Sequence, residues 1–575
     1  MIKRKITSVT TTRHYLRKTG SGEAVRFAAL GGLEEVGRNM MFFEYKDEIV
    51  IIDAGLQFPE ETTPGIDFII PNISYLEANK KNVKALIITH GHYDHIGAIP
   101  YIMEKIGNPT IYTTALNKAI ISRRQEEFIN APKINFELVK IGETRQLSEN
   151  FKAIFFGVAH TIPDSVGVVL DTPSGKMVYP GDFRLDYDID GNPKDMDVWR
   201  GLAEQKIHAL FLDSTGADKE GYSISERVVE AEIEKIFKKS DGRIIIGTFS
   251  SLLERLAEII KIAERHNRKI FISGFSMKTN IQIAQNLGYM KIKKDTVVPL
   301  EEIGRYRDDK VVVLCTGAQG EPNASLMRIA NGEHKHVKIK KGDTVLLSSS
   351  IIPGNERSVQ ILMDDISRQG GIIYHSKMVD IHSSGHAPQE ELKMVMKIVK
   401  PKFFVPVHGY YFMRWRNAQL AQDVLKMKPE QAMIVDNGQV ISFAKTAAEI
   451  TEERIPTYCV MVDGLGVGDV GEVVLRDRLA LAQEGMVVII STLDRRTGRF
   501  LKNPDIISRG FIYLKENKEL VEELRKQIRS LIGRIPRHQQ MDQDYVKTLI
   551  RNQIGQFLYR KTKRRPMILP VVIEI

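Results

Sequence analysis

Only two cysteines occur in the 575 residues, Cys315 and Cys459. That excludes a disulfide framework and suits a reducing compartment, so a cytoplasmic location is expected. No window holds a run of about 18 apolar residues, which argues against a membrane-spanning helix. The basic stretch from Met1 to Gly20 lacks the apolar core and small-residue cleavage site of a secretory signal. It reads instead as an N-terminal extension. Short internal repeats and low-complexity tracts are missing as well.

What remains is the composition of an ordinary globular protein, 43% hydrophobic with a formal charge of +10. The length provides for more than two domains with buried cores. The basic surplus suits a polyanionic partner such as nucleic acid, and equally a merely soluble basic enzyme. Two clusters concentrate it: Lys3, Arg4 and Lys5, and then Arg560, Lys561, Lys563, Arg564 and Arg565. The apolar run Pro566 to Val572 after the second cluster predicts that this end packs onto something.

From about Ala24 to Ser214 short β-rich runs alternate with polar turns: Glu48 to Ala54, Val83 to Thr89, Phe151 to Val158, Val166 to Leu170 and Met177 to Pro180. Near Gly221 the texture changes. Ser223 with Glu226 has the spacing of a capping box ahead of a helix that carries Val229, Ile233, Ile236 and Phe237 on one face. Arg243 to Ile246, Leu252 to Arg265 and Lys269 to Ser273 then read as strand, helix and strand, a unit that implies a parallel sheet. Functional residues return at turns from His375 onward. The pattern predicts a β-rich catalytic domain (21–220) interrupted by an α/β insertion (221–370) and completed over 371–450. A linker (451–462) and a small α+β domain (463–575) follow, the latter with a helix stripe of Leu520, Val521, Leu524, Ile528, Leu531 and Ile532.

The densest chemistry is His90-Gly91-His92-Tyr93-Asp94-His95, directly after the apolar run Ala85 to Ile88. Four ligand-type side chains in six residues, on a turn leaving a strand, can converge on one small volume. Imidazole with carboxylate suits zinc, and less specifically manganese or iron. A dinuclear site needs more ligands, and His160, Asp182 (in Gly181-Asp182-Phe183-Arg184) and His408 each follow a predicted strand.

With these residues the chain resembles the metallo-β-lactamase fold of the hydrolase type, an αββα sandwich. Asp213, His386 and His408 match in order the three further motifs of its β-CASP nucleic-acid-processing branch. The resemblance to the ribonuclease J family runs nearly end to end. It is carried by Gly31 to Met40, Cys315 to Pro322, Pro353 to Glu356, His382 to Ala387, Pro406 to Gly409, Asp463 to Gly471 and Pro504 to Gly510.

The resemblance implies one zinc on His90, His92 and His160, a second on Asp94, His95 and His408, and a bridge from Asp182; Mn2+ or Mg2+ are alternatives in activity. It implies a metal-bridged hydroxide attacking RNA phosphodiesters in line, with Asp94 able to orient it. His386 would protonate the departing ribose oxygen with Asp213 orienting it, or would bind phosphate only. Phe249, Ser250 and Ser251, and His382, Ser383, Ser384, Gly385 and His386, would hold substrate phosphates, although Ser250 and Ser251 could equally cap a helix. Ser348, Ser349 and Ser350 could belong to the same channel.

Also implied are 5′→3′ exonucleolytic and endonucleolytic cutting of single-stranded RNA with a favoured 5′ monophosphate, and roles in mRNA decay and rRNA 5′-end maturation. A homodimer or homotetramer, RNA-decay protein partners and no membrane association complete the expectation. The chain departs from its relatives at Tyr93, where an acid is common, and at Tyr410 and Phe412, where an acid and an arginine are frequent. None of these is a ligand position. Three other readings are a small-molecule hydrolase of the same fold, a DNA-directed β-CASP nuclease, and a non-catalytic RNA-binding subunit. The insertion disfavours the first, the third-domain motifs the second, and the complete ligand set the last.

Overall fold

The computed structural model describes residues 23–59, 62–129, 131–188, 190–194, 196–321, 323–352, 354–464, 466–494, 496–497, 500–512, 516–535 and 542–575. The extension 1–20 with its basic cluster lies outside the described residues, as do Pro322, Pro353 and Leu465 of the stretches quoted above.

Two sheets form the catalytic sandwich. The first has eight strands in the order Ala448–Arg454, Gln439–Phe443, Val25–Gly31, Met40–Tyr45, Glu48–Ile52, Val83–Ile87, Thr110–Thr113 and Phe136–Leu138. The second has six: Phe403–Val407, Ala209–Asp213, Gly175–Tyr179, Val166–Thr172, Lys152–Gly157 and Thr144–Gln146. Their facing sides share one core, in which Phe211 lies 4.6 Å from Phe27 and 5.2 Å from Phe43 between ring centroids. Each fully buried ring of this kind contributes roughly 2–3 kcal/mol relative to exposure. Helices Met196–Ala203, Gln389–Val399 and Tyr411–Leu425 cover the second sheet through Trp199, Leu392, Val395 and Leu420. The predicted strands all form, within one or two residues of the expected ends.

The chain leaves the sandwich after Ala209–Asp213 and returns as Phe403–Val407. These two strands pair in parallel with Asp213 opposite Val407, so residues almost two hundred positions apart end side by side. Between them lies the insertion. Its six strands, Val297–Val298, Lys269–Ser273, Val311–Cys315, Ile244–Gly247, Thr344–Leu347 and Ile372–His375, are all parallel. Ile244, Ile245 and Ile246 are fully buried, as a central strand covered on both faces requires.

Helix Glu226–Lys239 buries Val229, Ile233, Ile236 and Phe237 as predicted, but the capping assignment needs correction. Ser225, not Ser223, is the N-cap and accepts from the Arg227 N–H. The Ser223 N–H donates to Glu391 instead, and Glu226 is free to serve the two arginines described below. Only Ser223 has the capping-box spacing to Glu226, whereas three residues after Ser225 stands Val228; the folded helix nevertheless starts from Ser225.

A separate compact unit joins Met461–Ile575 with Pro59–Phe68. The Asp67 N–H donates to the Val462 carbonyl, and Arg478 donates to the carbonyls of Pro64 and Gly65. Its sheet runs Asp505–Arg509, Met486–Leu493, Met567–Glu574, and helices Lys518–Gly533 and Gln543–Thr562 pack on it through Leu524, Ile528, Ile550 and Ile554. The apolar end Pro566 to Val572 is therefore a strand of this sheet, as its composition suggested. Among the described residues no helix is long and apolar enough to cross a membrane.

Candidate metal centre

His90 and His92 lie on the loop after strand Val83–Ile87, and Asp94 and His95 on the single helical turn Tyr93–Ile96 that follows. The turn is held tightly against its neighbours. A Cβ at Gly55 would stand 1.6 Å from the Asp94 carbonyl, so only glycine fits there. His160, Asp182 and His408 come from the ends of three other strands. His408 has φ of 49°, and Asp53, at the end of strand Glu48–Ile52, has φ of 61°. Non-glycine residues in this left-handed region cost about 1–2 kcal/mol and are held there by their surroundings.

Three nitrogens converge first. His90 Nε2 and His160 Nε2 each lie 3.1 Å from His92 Nδ1. Nitrogens around a tetrahedral zinc at about 2.0–2.1 Å would stand about 3.3 Å apart, so this spacing fits one cation. The other nitrogen of each strand-end ring is already engaged. His160 Nδ1–H donates to the Gly385 carbonyl at 2.7 Å, and His90 Nδ1 meets Thr89 Oγ1 at 3.1 Å. Burial, reinforced by neighbouring imidazoles, pushes all three rings below the usual histidine range, His92 to about 4. They are therefore neutral at physiological pH, with lone pairs available.

The second group is Asp94, His95, Asp182 and His408. Asp182 Oδ2 lies 3.2 Å from His95 Nε2 and 3.9 Å from His90 Nε2, so one carboxylate faces both groups. Asp94 Oδ2 lies 3.5 Å from His95 Nε2 and 3.8 Å from His408 Nε2. Burial here works against charge, yet Asp182 and its neighbours raise His95 and bring His408 up to about 9. Asp182 itself is held well below the usual carboxylate range: burial opposes this, and His408, His95 and His386 outweigh it. Positive charge at this point is thus strongly favoured. Five imidazoles and two carboxylates form a donor set that suits divalent metal ions, and Asp182 faces both groups.

Beside this cluster His386 Nδ1 donates to Asp213 Oδ2 at 2.7 Å. Burial pushes the His386 ring down, but Asp213 and Asp182 raise it overall. Asp213 Oδ1 accepts from the Thr215 N–H at 2.8 Å, which fixes the carboxylate. Asp182, Asp213, His386 and His408 also lie close enough to form a third candidate ligand group. The short His386–Asp213 bond commits those two side chains to one another.

Several residues of the site were not predicted. Asn39 Nδ2 lies 3.1 Å from His95 Nε2 and 3.2 Å from His408 Nε2. Asp53 accepts from His95 Nδ1–H at 2.8 Å and from the Thr89 N–H at 2.9 Å, which orients the imidazole from behind. Asp53 ends a predicted strand just as Asp182 follows one, and that signal could have found it. Asn39 stood inside a quoted stretch without a ligand-type side chain to mark it.

The proposed phosphate holders divide. The Ser384 hydroxyl accepts from the His386 N–H at 3.3 Å, and Ser384 and His386 are partly exposed. Ser383 is buried, and its hydroxyl donates to the Ile224 carbonyl and accepts from Arg184, so it is not open to a phosphate. Gly385 serves His160: a Cβ there would lie 2.5 Å from its Cε1. His382 is depressed to about 3 by burial and by Arg255, Lys219 and Arg184, and its Nδ1 has no hydrogen-bond partner among the described residues. Phe249, Ser250 and Ser251 precede helix Leu253–Arg265, and neither serine hydroxyl caps it. Of the other serines, Ser348 donates to the Ile381 carbonyl and Ser349 accepts from Gln319, so both hydroxyls knit the insertion together. Tyr93 lies under the Arg124 guanidinium, 5.4 Å from ring centroid to Cζ.

The loop from Ile381 to His386 is anchored by a buried charge network. Arg184 pairs with Glu226 at 3.1 Å, and Arg255 pairs with it at 2.8 Å. Arg255 also donates to the Ile381 carbonyl at 3.0 Å. Burial raises the Glu226 carboxyl, but Arg255 and Arg184 hold it below the usual range overall. Its stabilisation is therefore complete above the unfolded value of about 4.3 and is lost as pH falls through the lower folded value. Glu226→Ala should destabilise the chain by about 3 kcal/mol at neutral pH, because two buried guanidiniums lose their counter-charge. In urea unfolding the gap to the parent should shrink on acidification; a gap that is unchanged in acid would contradict the assignment.

Family models match along the chain: "Metallo-beta-lactamase superfamily" over residues 33–247, "Ribonuclease J, beta-CASP domain" over 241–366, "Zn-dependent metallo-hydrolase RNA specificity domain" over 374–421 and "Ribonuclease J C-terminal domain" over 473–575. Ribonuclease J 1 of Streptococcus pyogenes serotype M3 is 40% identical over 95% of this chain and 97% of its own length.

The chain belongs to the ribonuclease J family.

Ribonuclease J2 of Bacillus subtilis strain 168 is 35% identical over 97% of this chain and 100% of its own. As a member of the ribonuclease J family the chain is a metal-dependent nuclease that hydrolyses RNA. A solved protein of unknown function from Enterococcus faecalis V583 shares the fold at a TM-score of 0.50 and 13% identity, covering 74% of this chain and 100% of that one.

Proposed function

We propose that this ribonuclease J family member is a dinuclear zinc enzyme that degrades single-stranded RNA 5′→3′ and also cuts internally, acting in mRNA decay and rRNA 5′-end maturation in the cytoplasm. The observation that carries this is the convergence of two ligand groups on Asp182, with the His386–Asp213 pair beside them. His90, His92 and His160 would hold one cation and Asp94, His95 and His408 the other. Bound there, the ions supply Lewis acidity toward phosphoryl oxygens and acidify water for attack near neutral pH.

The chain's own side chains do the rest. Asp53 and the Gly385 carbonyl hold the His95 and His160 imidazoles in place. Asp213 keeps His386 Nδ1 protonated and oriented, so that Nε2 can give its proton to the departing ribose 3′ oxygen. The partly exposed Ser384 and His386, the unpartnered His382 Nδ1, and Ser250 and Ser251 ahead of a helix N-terminus are suited to substrate phosphates, including a 5′ monophosphate. The domain limits proposed from sequence are retained, with Pro59–Phe68 added to the C-terminal unit. That unit is the proposed seat of a homodimer or homotetramer. Val571 and Ile573 of its last strand are exposed, and such a face is suited to a second copy or to an RNA-decay protein.

The test is one RNA labelled at either end, carrying a 5′ monophosphate or triphosphate, with products sized over time. Mononucleotides released first from the monophosphorylated 5′ end are expected, together with internal fragments. EDTA should abolish both and zinc or manganese restore them. Cleavage of matched DNA at the same rate, or cleavage indifferent to EDTA, would refute the proposal.

A further inference from the structure

Immediately after His408-Gly409 the chain reads Tyr410-Tyr411-Phe412-Met413-Arg414-Trp415 and enters helix Tyr411–Leu425. Met413 and Arg414 turn inward and are buried. Tyr411, Phe412 and Trp415 turn outward and are 55%, 55% and 47% exposed. The 411, 412 and 415 spacing puts all three on one helix face. Of the two tryptophans in the chain, Trp199 is buried and Trp415 is in this face. Tyr410 and Phe412 lie nearly parallel, at 8° and 6.3 Å between centroids.

Exposed aromatic rings grouped this closely are uncommon on a protein surface and mark a binding face. Their composition points to its occupant. Its three exposed side chains are planar rings, and the first helical turn contains no acidic residue of its own. Tyr410 is two residues from His408, no more than about 7 Å along the chain. A polymer whose scissile phosphate sits at the metal centre has flanking nucleotides within reach of this face.

We propose that Tyr411, Phe412 and Trp415 form a stacking platform for bases of single-stranded RNA bound at the metal centre. The proposal rests on the nuclease reading given above. Aromatic stacking is tolerant of sequence because every base has a π-face. The platform therefore adds affinity for the strand without selecting a particular base.

The experiment uses the full-length Trp199→Phe protein, in which Trp415 is the remaining tryptophan. It is titrated with a short single-stranded oligoribonucleotide carrying phosphorothioate linkages, and fluorescence is read. Saturable quenching is expected. In cleavage assays of the same protein Phe412→Leu should raise KM about tenfold with kcat unchanged, and Phe412→Tyr should restore it. An emission unmoved by saturating RNA in a protein that still cleaves RNA would overturn the platform and leave the nuclease reading intact. Quenching in a protein that cleaves nothing would do the reverse. If Trp415→Ala abolished self-association in sedimentation while KM stayed the same, the face would belong to a second copy and the proposal would fail.

Discussion

Asp182→Ala should lose RNA cleavage by on the order of a thousandfold or more while still binding RNA. Of Asp94 and Asp182, the carboxylates of the two proposed ligand sets, Asp182 is the one that faces both. Removing it takes away one of the two negative charges that the proposed ligands offer, and leaves His408 Nδ1 without its acceptor, while Asp53 still holds His95. Neither group keeps a full set of ligands. Metal analysis of the purified variant should find less than the parent's complement, and excess zinc should not restore turnover. The proposed phosphate contacts lie on other loops, so RNA affinity measured in EDTA should match the parent's. Parental turnover in this variant would remove the basis of the dinuclear assignment.

His386→Ala has a different signature. Metal content should be unchanged, because each proposed ion keeps all its ligands, and turnover should fall by roughly a hundredfold to ten-thousandfold. A proton donor matters most when the departing oxygen is a poor leaving group. The loss should therefore shrink on a substrate with an acidic leaving group, such as a nitrophenyl phosphodiester. If His386 bound phosphate only, the defect would appear in KM and persist on both substrates. Asp213→Asn should resemble His386→Ala in weaker form, since the amide cannot stabilise the protonated ring that the 2.7 Å bond supports.

Phe412 belongs to the exposed aromatic face, and the Tyr410 ring lies nearly parallel to it. Tyr93 offers its ring to Arg124. None alters a ligand.

The sequence by itself determined the strands and the parallel insertion, and it marked seven candidate ligands that the fold brings into neighbouring groups. Strand patterning follows from which residues can be buried, and that is written locally: Ile244 to Ile246, for instance, suit only a covered strand. Ligands are legible for a related reason, because cation chemistry admits few residue types and they recur at strand ends. Tertiary structure alone decided the roles of polar residues whose side chains have many possible partners. Ser225 rather than Ser223 caps a helix, while the Ser223 N–H donates to Glu391. Ser383 reads as a phosphate contact and Ser348 and Ser349 as residues of the same channel, yet their hydroxyls are engaged inside the protein. Gly385 was read as part of a phosphate turn, and the fold adds that a side chain there would collide with His160. The partners of Asn39 and Glu226 are not written in the sequence, since a hydrogen bond or ion pair depends on a residue up to several hundred positions away. Apolar burial is a property of one residue and its pattern; polar function is a property of a pair, and only folding brings the pair together.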